Sequence, residues 1–124
     1  MRISQGEFER IVEEVLAELP ESFSRHLENV TIDIEDEPDA PTLEEAEMDE
    51  PRELLGFYVG VPLTLRHVDA PAYEGDRILL FQRNIERASR SMRQIREQIR
   101  VTLLHEIGHH FGMDEDELDE LGYG

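Results

Sequence analysis

At 124 residues with no cysteine, the chain is sized for one domain and has neither disulfides nor thiolate metal ligands available. Its formal charge of −18 repels nucleic-acid phosphates, and no apolar stretch approaches membrane-spanning length. The charge is uneven: residues 28–53 hold twelve acids and one Arg, residues 77–100 hold seven Arg and two acids, and every basic residue is Arg.

The opening Met1-Arg2-Ile3-Ser4-Gln5-Gly6 lacks the apolar run of a signal peptide, which predicts a cytoplasmic protein. Ser4 and Glu7 form an S-x-x-E capping box. Phe8, Ile11, Val12, Val15, Leu16 and Leu19 then recur at helical spacing until Pro20. This predicts an amphipathic helix over 4–19 that covers a sheet.

Val30-Thr31-Ile32-Asp33-Ile34 alternates with period two, the pattern of a strand with one buried face. Residues 35–53, acidic and carrying Pro38, Pro41 and Pro51, are expected as a surface loop with a helical turn near Leu43 to Met48. Leu55 to Val61 reads as a second strand, in which the glycines mark a bend or a close backbone approach. A connection follows, marked by Pro71, Gly75 and Asp76. Ile78-Leu79-Leu80-Phe81-Gln82 is a third, strongly apolar strand. Ser91 and Gln94 form another capping box, and Met92, Ile95, Ile99 and Leu103 line the core side of a last long helix whose wet face carries Arg93, Arg96 and Arg100. Asp114 and Glu117 suggest a third box opening a short terminal helix.

That long helix runs into His105-Glu106-Ile107-Gly108-His109, an HExxH motif. A four-residue spacing puts both imidazoles on one helix face, one turn apart, where they can share a metal ion. Glu106 is offset by about 100° and reaches a water beside the metal rather than the metal itself. Two nitrogen ligands, an open position and an adjacent carboxylate base form the layout of a zinc hydrolase acting through a metal-activated water. The predicted cofactor is one Zn2+ per chain. A third ligand must come from outside the helix. Gly112 is followed by Asp114, Glu115 and Asp116; since Asp114 is the expected helix cap, Glu115 is favoured as ligand, with Asp114 and Asp116 as alternatives. His26 and His67 have no ligand-like spacing, His110 reads equally as a partner of the site or as an exposed residue, and Tyr123 is expected to pack on the surface.

The order of these elements, together with Leu54-Leu55-Gly56-Phe57-Tyr58-Val59-Gly60-Val61-Pro62-Leu63-Thr64 and His105-Glu106-Ile107-Gly108-His109-His110-Phe111-Gly112-Met113-Asp114-Glu115, resembles the small bacterial zincin-like metallopeptidases, over about Phe8 to Tyr123. The resemblance implies one α+β domain over 1–124: a small mixed sheet of three to four strands packed against the N-terminal helix and the HExxH helix. It implies His105 and His109 as metal ligands, Glu106 as general base, the Asp114/Glu115 region as third ligand, and hydrolysis of peptide bonds. An acidic residue stands where full metzincins carry a third His. The expected partner is a peptide added as a strand to an edge at Ile78–Gln82, with Arg77 and Arg83 flanking it, and the expected assembly is a monomer or weak dimer.

Two other readings compete. One is a non-catalytic metal-binding or protein-interaction module with a degenerate site. The other is metal-dependent RNA cleavage, because a bacterial ribosomal-RNA endoribonuclease family uses a related HxxxHxxGxxH helix. Glu106, Glu115 and the −18 charge speak against the latter.

Overall fold

The computed structural model describes residues 1–27, 30–60 and 76–110; of Ser22, His26, His109 and His110 it describes the backbone alone. The expected terminal helix after Asp114, the alternatives for the third ligand, His67 and Tyr123 lie outside the described residues. The elements in chain order are α1 (Gln5–Glu18), α2 (Glu21–Ser24), β1 (Thr31–Glu35), α3 (Ala40–Glu45), β2 (Gly56–Val59), β3 (Arg77–Phe81), α4 (Gln82–Arg87) and α5 (Met92–His110). Short 3-10 turns lie at Arg25–Leu27 and Pro51–Glu53.

Helix α1 begins where its capping box places it. The Ser4 hydroxyl accepts the Glu7 amide at 3.1 Å, satisfying one of the free amides of the first turn. Pro20 ends α1 but then caps α2, which buries Phe23 completely. Helix α5 is opened by Ser91, whose hydroxyl accepts the Gln94 amide at 3.2 Å, while the Gln94 side chain accepts the Arg90 amide at 2.6 Å.

The sheet is mixed and, among the described residues, three-stranded in the order β1-β3-β2. β1 runs parallel to β3, from Thr31 opposite Arg77 to Glu35 opposite Phe81. β2 runs antiparallel to β3, with Gly56 opposite Leu80 and Val59 opposite Arg77. The α+β architecture expected from the sequence is therefore present, but β3 is central rather than an edge. Both of its sides are paired and Gln82 already belongs to α4, so a peptide cannot add to Ile78–Gln82. The unbroken apolar run is explained by burial on both faces.

Those faces differ in cover. Ile78 and Leu80 join Phe8, Val12 and Val15 of α1 and Ile95, Ile99, Leu103 and Ile107 of α5 in the main core. Leu79 and Phe81 point the other way and form a second, smaller cluster with Leu54, against which Leu43, Ala46, Met48, Phe57 and Val59 pack. The acidic segment 35–53 is thus the outer layer over the second face as well as charged surface. Its helix α3 is capped by Asp39, whose carboxylate accepts the Thr42 amide at 2.9 Å. It closes on Glu47 at φ 55°, the left-handed position that normally favours glycine.

Candidate metal centre

Helix α5 carries the HExxH segment without a break through His110, so the backbones of residues 105 and 109 stand one turn apart as the spacing requires. Ile107 and Leu104 are buried in the main core, which fixes the rotation of the helix about its axis. That rotation turns His105 and Glu106 into a cleft of about 240 Å3, whose opposite wall is Glu53, Leu55 and Gly56. Gln98, Val101 and Thr102 form its floor along α5.

Gly56 makes this approach possible. A Cβ at this position would stand 2.5 Å from the Thr102 methyl and 3.0 Å from the Leu79 carbonyl oxygen, both inside contact distance. The close backbone approach expected of a glycine in this strand is realised here. The wall in front of it is held from behind by Asn84 of α4, which is almost completely buried. Its Nδ2 donates to the carbonyls of Pro51 and Leu54, each at 2.7 Å, and its Oδ1 accepts from Arg87 at 2.8 Å. Sequence reasoning missed α4, Asn84 and the contribution of Glu53. Only Ile85 in that helix is apolar, so no periodicity announced it.

Burial pushes the Glu106 carboxyl up to about 7 by removing water from its charged form. A carboxylate in this condition holds a proton more tightly than a free one and is suited to exchanging it near neutrality.

The donors present fit a divalent metal of borderline softness: an imidazole from His105 lining the cleft, a second histidine one turn along the same helix, and carboxylates in reach of the chemistry. Among the described residues no three His, Asp or Glu side chains converge on one point. The His109 side chain and Glu115 are outside that set.

The zincin-like metallopeptidase profile matches residues 27–124, a span that includes the sheet, the cleft walls and the whole HExxH helix. The chain belongs to that family. No curated protein matches the sequence. Among the described residues no helix is long and apolar enough to cross a membrane.

Proposed function

We propose that this chain is a zinc-dependent peptidase in which His105, His109 and Glu115 hold one Zn2+ and Glu106 is the general base. The observation that carries the reading is the pairing of His105 and Glu106 on one wall of a cleft, in a member of the zincin-like metallopeptidase family. When bound, zinc supplies Lewis acidity toward the scissile carbonyl and a nucleophilic water at neutral pH. The residues of the chain do the rest. Glu106 takes one proton from the attacking water and passes it to the leaving amine as the C–N bond breaks. Burial of that carboxylate limits competing solvent around it. Strand addition moves from β3 to β2, whose outer edge has no neighbour among the described residues and which borders α5. A peptide backbone pairing there would pass in front of Glu106.

The test is zinc content of protein purified without chelator, measured beside His109→Ala and Glu106→Ala, followed by hydrolysis of casein and of a peptide library. One zinc per chain that is lost with His109→Ala, and hydrolysis that is lost with Glu106→Ala, are the expected results. Bound zinc without hydrolysis would replace the peptidase by a metal-binding interaction module. Failure to take up zinc on reconstitution would overturn the proposal.

A further inference from the structure

The wall that faces His105 and Glu106 is held in two unlike halves. Leu55 and Gly56 hang on the sheet: the Leu55 carbonyl accepts the Phe81 amide at 3.0 Å, and Gly56 stands opposite Leu80 in the ladder. Glu53 has no such support. Its turn is closed locally, by the Glu53 amide on the Glu50 carbonyl at 3.1 Å. Among the described residues, the hydrogen bonds that tie 50–54 to the rest of the fold are the two from Asn84, to the carbonyls of Pro51 and Leu54 on either side of Glu53. The Leu54 side chain adds its place in the second cluster. The other buried polar side chains on and just after α4, Gln82, Glu86 and Ser89, bond to Ile3 or within the helix.

Asn84 makes its two wall bonds in one orientation of its amide only. Turned over, its Oδ1 would face two carbonyl oxygens and both bonds would be lost. Arg87, one turn further along α4, donates to Oδ1 at 2.8 Å and so opposes that turn. Arg87 in turn forms an ion pair with Glu37, near the other end of the acidic segment. At 1 % exposure, Asn84 has no water at hand to replace a lost partner. A line of polar contacts therefore runs from a surface carboxylate, through a guanidinium and a buried amide, to the Glu53 half of the cleft wall.

We infer that Asn84, with its amide set by the Glu37–Arg87 pair, is a positioning residue for the substrate: it holds the Glu53 turn at the spacing from α5 that grips a peptide. The inference rests on the peptidase reading. His105 and Glu106 stand on the opposite wall, on a helix whose rotation is fixed by Leu104 and Ile107 in the main core. Loss of Asn84's bonds should therefore weaken the grip and leave the chemistry in place, so that KM rises while kcat stays.

The experiment reads the wall by hydrogen exchange of the metal-free full chain, and the grip by KM and kcat of the zinc-loaded protein on labelled casein. Asn84→Asp keeps the shape of the side chain and its contact with Arg87 but replaces both wall donors by an acceptor. The amides of residues 52–54 should exchange about tenfold faster, the scale of one or two net hydrogen bonds. Those of Phe23 and Ser24, bonded locally to the Pro20 carbonyl, should keep their rates. KM should rise about three- to tenfold, with kcat within about twofold of the wild type. Glu37→Gln should give the same pattern at about two- to threefold, and the difference should vanish at about 0.5 M salt. Arg87→Met should speed exchange at 52–54 on its own but add nothing to Asn84→Ala. Glu37 and Arg87 are exposed, so their variants decide the matter if Asn84→Asp does not fold. Unchanged exchange at 52–54, equal acceleration at Phe23 and Ser24, a fall in kcat with KM unmoved, or additive effects of Arg87→Met and Asn84→Ala would overturn the inference. A wild-type protein that hydrolyses nothing, while the exchange pattern and its coupling come out as expected, sinks the peptidase reading alone.

Discussion

Replacing Gly56 by Ala should loosen the junction on which the site is built. The glycine φ lies outside the left-handed region, so the added methyl acts by volume rather than by backbone strain. It would meet the Thr102 methyl at 2.5 Å and the Leu79 carbonyl at 3.0 Å, and restoring ordinary carbon contacts near 3.7 Å requires a displacement of about 1 Å. The Leu79 carbonyl is part of the central strand and gives little, so the movement falls on α5. Overpacking of this kind costs about 1–3 kcal/mol. Urea unfolding of the chelator-treated protein should show a loss of about 2 kcal/mol for Gly56→Ala. The same measurement on Thr102→Ser and on the double variant completes a cycle. Removing the Thr102 methyl should return about half of the loss, because the contact with Leu79 remains. Zinc uptake should weaken in parallel, since the helix that moves carries His105 and Glu106. A Gly56→Ala protein as stable as the wild type, or a cycle with no coupling, would refute the claim that close approach of β2 to α5 positions the site.

Two further outcomes follow from the same structure. The Glu106 carboxyl is raised from its ordinary 4.5 to about 7, so the metal-free fold binds a proton that the unfolded chain has already released. Its contribution to stability is present below about pH 4.5 and lost as pH rises through 7, a span worth at most about 3 kcal/mol. Glu106→Gln should match the wild type near pH 4 and exceed it in chemical-denaturation stability by about 3 kcal/mol at pH 8; a difference that does not change with pH would refute the burial argument. Glu47→Gly removes a left-handed non-glycine residue at the end of α3, where the Met48 amide returns to the Leu43 carbonyl at 3.0 Å. It should stabilise by about 1 kcal/mol, or a few degrees in Tm, and an unchanged melting curve would count against it.

What the sequence revealed was local, and what it hid was brought together from far along the chain. The Ser4 and Ser91 caps, the stripe of α1 and the HExxH register each depend on residues within a turn or two, and all are found as expected. The third strand was recognisable, but its place in the sheet was not. The lack of alternation through Ile78-Leu79-Leu80-Phe81 was the signal that both faces are covered, and a strand of that kind is rarely an edge. The acidic segment hid its packing role because Leu43, Ala46 and Met48 are too sparse to make a period. Asn84 was the hardest to foresee. A polar residue in a six-residue helix gives no hint that its amide will reach the carbonyls of Pro51 and Leu54.

The central strand has a last consequence, for the way the molecule opens. β3 is hydrogen-bonded along both edges and passes directly into α4, so its amides can exchange with deuterium only when the whole sheet parts. The acidic outer layer is tied down by a small cluster, by Asn84, by the Arg87–Glu37 ion pair and by the Arg83 amide on the Asp36 carbonyl, fewer bonds than hold the sheet, so it should lift away while the scaffold stays closed. Exchange should therefore divide the protein into a slow body made of β3 and the buried face of α5, and a faster flap that includes residues 51–54, Leu55 being bonded to Phe81 of the central strand. Since that flap is also one wall of the cleft, the depth of the site is adjustable at far less than the free energy of unfolding.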